Sequence, residues 1–187
     1  METMKITLLI IALILASVAM FIGYNGGFKK INCRVEVQGG ETLVFKEMTG
    51  DYAKSKKLSD DVYYTLLNDY EIETFKGFGI YYDNPKKVKK TQLRSEIGCI
   101  VEKKDSSKAT QIHGELKIKE FPKKSYIVTE FPIKGKLAVI FGILKVYPAM
   151  DKFVKENGYA AKGAVMEIYD VPNKTILYRK EIIAIQP

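Results

Sequence analysis

The chain has 187 residues, is 47% hydrophobic and carries a formal net charge of +8. That length holds one domain, or one domain with an anchor, but not several domains. Lys outnumbers Arg 27 to 3; base readers lean on arginine for bidentate contacts, so the basic surface does not point to a nucleic-acid partner.

Ile6 to Gly23 is a run of eighteen residues without a charge, broken only by Thr7 and Ser17. At helical rise it covers about 27 Å, enough for a bilayer core. A cleaved secretory signal is the rival reading. Its apolar region should be shorter, and the nearest cleavage-like site, Ser17-Val18-Ala19, falls inside the run. No cysteine closes the run, which excludes a bacterial lipoprotein. The expected organisation is a tail (1–5), an uncleaved signal-anchor helix (6–23), a juxtamembrane linker (24–32) and a folded domain (33–187). Lys29, Lys30 and Arg34 outnumber Lys5 across the span. That bias predicts a single-pass membrane protein with its soluble domain in the cytoplasm. Two cysteines, Cys33 and Cys99, form no disulfide framework and fit a reducing compartment.

Val35 and Val37, then Leu43 to Phe45, flank Gly39-Gly40 and read as two strand segments with a bend between. Leu58, Val62, Leu66 and Tyr70 recur every four residues, the stripe of an amphipathic helix, with Ser59, Asp60 and Asp61 near its start. Phe75 to Tyr82 and Ile97 to Val101 are the next strands. The cluster Lys86, Lys87, Lys89 and Lys90 between them is either a solvated loop or a draw for anionic headgroups. Glu102 to Gln111 is polar and reads as a connection between halves. The order then restarts: strands over Leu116 to Glu120 and Ser125 to Phe131, a more apolar helix over Leu137 to Asn157, and strands over Val165 to Tyr169 and Thr175 to Ile183. Pro148 should kink that helix or begin a second segment. Part of Leu137 to Leu144 is expected to pack on the sheet, and Asn157-Gly158 to end the helix. Two units, about 33–104 and 115–187, thus share the order strand, helix, strand, strand, the two short segments ahead of each helix counting together as the first strand.

The repeat shows in the residues themselves. Gly79-Ile80-Tyr81-Tyr82-Asp83-Asn84-Pro85 stands 88 positions before Glu167-Ile168-Tyr169-Asp170-Val171-Pro172. Strand alternation puts Glu167 on one face with Val165 and Tyr169, and Gly79 on the matching face with Tyr81. Gly79 would leave room where Glu167 adds charge, with Tyr81 and Tyr169 as aromatic walls. Such a cleft suits an amphipathic cation, paired by the carboxylate and stacked on the tyrosines. The alternative is a surface strand with a solvated Glu167. His113 is the sole histidine, without ligand-spaced neighbours, so no metal site is expected. There is no phosphate loop, nucleophile elbow or Cys-x-x-Cys, so no cofactor is expected and no catalytic residue is assigned.

These tandem units, with Gly-Ile-Tyr-Tyr-Asp-Asn-Pro and Met-Glu-Ile-Tyr-Asp-Val-Pro, resemble the GyrI-like small-molecule-binding domain family over about Cys33 to Ile183. Within it, the anchor and the stretch Val146 to Glu156 resemble the membrane-anchored testis-expressed ER-phagy receptor group. The resemblance implies an α+β fold of pseudo-two-fold symmetry with a ligand cleft between the units. It also implies that Glu167 pairs cationic ligands, beside Tyr81 and Tyr169. Some relatives hydrolyse strained electrophiles with a glutamate, a role Glu167 could fill. The chain shows no helix-turn-helix and no acidic tail with an autophagy-interaction motif. The expectation is therefore a bacterial-type membrane relative that binds a small molecule rather than a transcription regulator or ER-phagy receptor. The alternatives are a tethered protein-interaction module and, third, a small-molecule hydrolase.

Overall fold

A computed structural model of the chain describes residues 2–160 and 163–182, with the side chain of Lys136 excepted. Met1, Ile183 (the expected end of the last strand) and 184–187 lie outside the described residues. The elements are α1 (Glu2–Tyr24), β1 (Arg34–Gln38), β2 (Thr42–Thr49), α2 (Ser55–Tyr70), β3 (Lys76–Tyr81), β4 (Arg94–Val101), α3 (Ser106–Ala109), β5 (Lys117–Glu120), β6 (Lys124–Pro132), α4 (Lys136–Glu156), β7 (Val165–Asp170) and β8 (Thr175–Glu181). The protein is α+β. Its eight strands form one antiparallel sheet in the order β1-β6-β8-β7-β3-β4-β2-β5.

The register locates the symmetry axis. β3 and β7, the two repeated segments, pair with each other at the centre of the sheet, from Lys76 opposite Asp170 to Tyr81 opposite Val165. Only one position in this ladder sets a residue against its own repeat counterpart, and that is Gly79 opposite Glu167. The pseudo-two-fold axis passes through this pair.

The outer strands close the sheet on itself. β1 pairs with β6 and β2 pairs with β5 in one continuous register, from Arg34 opposite Val128 to Phe45 opposite Lys117. Between them the Gly40 amide donates to the Phe121 carbonyl (2.7 Å) and the Phe121 amide to the Glu41 carbonyl (2.8 Å). The bend at Gly39 needs glycine: φ is +117°, and a Cβ there would stand 2.2 Å from the Pro122 carbonyl oxygen.

Strand alternation then divides the core. On one face α2 packs on β4 and α4 packs on β6. Val62 and Leu66 of α2 pack with Val44, Cys99 and Val101 of the sheet; Val146 and Met150 of α4 pack with Ile127, Phe131, Ile176 and Tyr178. The other face carries a third cluster that includes Leu43, Phe45, Phe78, Ile80, Met166 and Ile168. α2 ends where Glu71 turns left-handed (φ 53°) and the Ile72 amide donates back to Leu66 (2.9 Å).

The structure adds to the sequence reading at three places. The connection between the units is not purely polar linker: it holds α3, and its Ala109 and Ile112 are buried under α2. Pro148 does not begin a second segment: the helix runs continuously from Lys136 to Glu156. The proline frees the carbonyl of Leu144, a residue that is 63% exposed, so water can take the place of the lost donor. Finally, Ala138 packs inward as expected of Leu137 to Leu144, but Leu137, Ile140, Ile143 and Leu144 are exposed.

α1 is long and apolar enough to cross a membrane, and none of its described residues is buried. An N-terminal signal sequence would meet the same criterion.

Candidate functional site: a buried carboxylate under tyrosines

Glu167 sits in the middle of β7, flanked across the sheet by Gly79 on β3 and Tyr178 on β8. Its side chain faces the helices and is only 2% exposed. Two phenols satisfy it. Tyr147, from α4, donates to Oε1 (2.8 Å), and Tyr169, two residues along the same strand, donates to Oε2 (2.5 Å). Among the described residues no lysine or arginine pairs with it. Burial pushes the Glu167 carboxyl above the ordinary carboxylate range, and the two phenol donors only partly offset this. The same burial, with the neighbouring carboxylate, raises Tyr81, Tyr147, Tyr169 and Tyr178.

The space over Gly79 is filled. A Cβ built there would lie 2.7 Å from the Tyr81 hydroxyl and 2.8 Å from Cε2 and Cζ of its ring. Tyr81 therefore folds back across its own strand over the axis, with its hydroxyl beside those of Tyr169 and Ser55. Tyr52, just before α2, packs edge-on against it at 4.8 Å. The Tyr52 hydroxyl donates to the Arg94 carbonyl (2.9 Å) and accepts from the Asp83 amide (3.1 Å). Opposite, α4 comes close to the sheet at Gly142, where a Cβ would stand 2.5 Å from the Tyr178 hydroxyl. The result is a carboxylate on the axis between α2 and α4. Half-buried Tyr81, Tyr147 and Tyr169 roof it, and fully buried Tyr178 stands at its side.

All four residues singled out in the sequence, Gly79, Tyr81, Glu167 and Tyr169, meet here. Tyr147 and Tyr178 were missed. Tyr147 lies in a helix read for its apolar character, one residue from buried Val146. Tyr178 was within reach of counting: the turn that pairs Asp170 with Thr175 also sets Glu167 opposite Tyr178. The Asp and Asn of the repeated turns are structural. Asp83 holds Arg94 through both carboxylate oxygens (2.9 and 3.0 Å), and Asn84 accepts from the Lys86 amide (2.8 Å). His113 packs edge-on against Tyr70, apart from this site.

Two cavities open on the other face of the sheet. One of about 740 Å³ is lined by residues including Ile100, Ile168, Leu177 and Arg179. A smaller one of about 260 Å³ is lined by residues including Ile80, Phe121, Tyr126 and Met166. Glu167 lines neither.

The profile of the GyrI-like small molecule binding domain matches residues 33–183. The chain belongs to that family. It is 27% identical over 170 residues to human testis-expressed protein 264, an alignment covering 84% of this chain and 50% of that protein. The mouse homologue is 30% identical over 100 residues, half of this chain and 32% of that protein. The chain thus spans about half the length, or less, of these curated relatives. Among solved structures it is similar to the C-terminal domain of EcmrR, at TM-score 0.59 and 12% identity, over 83% of this chain and 99% of that one. SAV2435 bound to tetraphenylphosphonium matches at TM-score 0.55 and 10% identity, over 81% of this chain and 93% of that one. At such identities these likenesses show the fold. For a family of small-molecule-binding domains, the axial carboxylate and its tyrosines are the candidate site in this chain.

Proposed function

We propose that this GyrI-like domain binds an amphipathic cation at Glu167, displayed at a membrane by α1. The observation that carries the reading is a carboxylate, 2% exposed, whose charge is met by phenols and by no described cation. An unpaired buried carboxylate is costly, and an entering cation relieves that cost. Tyr81, Tyr147 and Tyr169 roof the carboxylate and offer ring faces to the same ligand. The neighbour solved with tetraphenylphosphonium makes a ligand of that chemistry the first to try. Binding requires the tyrosine cover to part between α2 and α4. The length and apolar character of α1 support the anchor. Lys29, Lys30 and Arg34 beyond it support a cytoplasmic domain.

The test is thermal unfolding of the full chain in detergent micelles with tetraphenylphosphonium, beside Glu167→Gln. A ligand at a hundred times its dissociation constant adds about 2.7 kcal/mol. For a domain of this size that raises Tm by roughly 5–11 °C. The shift should vanish in Glu167→Gln. An equal shift in the variant removes the carboxylate from the mechanism, and a flat wild type across amphipathic cations removes the function.

A further inference from the structure

The segment joining α1 to the domain is pinned rather than free. Gly26 is left-handed (φ +83°), and the Gly27 amide donates to the Ile22 carbonyl (2.9 Å), which ends α1 in a Schellman turn. A Cβ on Gly26 would stand 2.7 Å from Phe131 Cζ, so the linker backbone lies directly on that ring. Asn25 is buried, and its side-chain amide donates to the Phe21 carbonyl (2.9 Å). Lys145 of α4 donates to the Gly27 carbonyl (2.5 Å), and Lys134, just ahead of α4, sits 4.9 Å over the Tyr24 ring. The last turn of α1 is thereby held beside the first half of α4.

That half of α4 is apolar on its outer side as well. Leu137 (39%), Ile140 (51%) and Leu144 (63%) are exposed at the spacing of one helix face, with Ile143 (45%) next to them. Ala138 and Val146 face the sheet instead and are fully buried. Tyr24, beneath Lys134, and Phe28, against Gly23, are exposed at the end of α1 as well. The stretches 22–35 and 131–150 contain lysines and Arg34 but no Asp or Glu. The patch is thus apolar and flanked by lysines, with Glu36 and Glu130 at its edge engaged by Arg34, and it lies beside the end of an apolar helix. A water-facing surface would have no reason to combine these features.

We propose that the first half of α4 lies in the headgroup region of the membrane that α1 enters, as an in-plane contact fixing how the domain faces the bilayer. This rests on the reading of α1 as a membrane span, and not on the ligand of Glu167. The apolar stripe enters the acyl boundary while Lys29, Lys30, Lys134 and Lys145 meet anionic headgroups. Tyr147 follows one turn after Leu144, so the contact reaches the edge of the tyrosine cover over Glu167.

The test is photolabelling of the full chain in vesicles of phosphatidylcholine and phosphatidylglycerol carrying a diazirine phospholipid, with the adducts mapped by peptide. The expected result is adducts in α1 and, separately, in residues 137–144. A double substitution, Ile140→Glu with Leu144→Glu, should abolish the second set and leave the first. Both positions are exposed, so the variant should keep the wild-type melting curve; if it does not, the wild-type map decides alone. Adducts in α1 with none in 137–144 overturn the proposal and leave the anchor standing. Adducts in neither show that α1 does not span, and both readings fall. Crosslinking of Ile140→Cys between two chains, without lipid adducts there, would assign the stripe to a second copy and also overturn the proposal.

Discussion

Gly79→Ala tests how the tyrosine roof and the carboxylate depend on each other. The new methyl would lie 2.7 Å from the Tyr81 hydroxyl and 2.8 Å from two ring carbons. Carbon contacts settle at about 3.5–4.0 Å, so something must yield by roughly 1 Å. The backbone is held on both sides, by Ile97 on β4 and Glu167 on β7. The close atoms are the far end of the Tyr81 side chain rather than backbone, so the ring is the part that moves, away from Ser55, Tyr169 and Tyr52. Overpacking of this kind costs about 1–3 kcal/mol. In a domain of this size the loss of Tm is then roughly 2–12 °C. A second effect is specific to the site. Burial holds the Glu167 carboxyl above its ordinary range, so the native protein keeps that proton to higher pH than the unfolded chain does. The stability this group contributes is present below the ordinary carboxylate value and is lost as pH rises through the raised native one. Moving Tyr81 lets water reach Glu167, lowers its native value and shrinks that loss. Urea unfolding of wild type and variant at a series of pH values reads both effects. The reasoning fails if Gly79→Ala is destabilised yet keeps the wild-type pH slope, because Tyr81 would then not be shielding the carboxylate.

Gly98→Ala should cost more than Gly79→Ala, about 3 kcal/mol or above. Its Cβ would meet backbone, 1.9 Å from the Val44 carbonyl oxygen and 2.7 Å from Phe45 Cα, and only parting β2 from β4 makes room. Equal or smaller destabilisation by denaturant titration would show that the two strands give way more easily than this register implies. The two thiols should separate kinetically. Burial pushes the Cys99 thiol up to about 11, and Cys99 is 2% exposed where Cys33 is partly open. At pH 8 about one Cys99 in a thousand is thiolate. Maleimide should therefore modify Cys33 first and reach Cys99 only as the protein opens. Matched rates would contradict the packing under α2.

Much of this protein is legible in the order of its residues. Hydrophobic periodicity placed the strands and helices, because a buried face imposes its spacing on the chain. The repeat at Gly79 and Glu167 announced two like units, and alternation along β7 put Glu167 with Tyr169 and apart from Met166 and Ile168. Local patterns could not say whether that face met solvent or helix, since a glutamate among apolar neighbours reads the same in either setting. The tertiary structure decided it. Antiparallel pairing of β3 with β7 set Gly79 against Glu167, and α4 then brought Tyr147 from twenty residues away onto the carboxylate. The same packing filled the gap at Gly79 with the Tyr81 ring instead of leaving it open. It also turned one side of Leu137 to Leu144 outward beside α1, which composition alone reads only as an apolar helix. Spacing fixes which residues share a face, but only the meeting of distant elements fixes what that face touches.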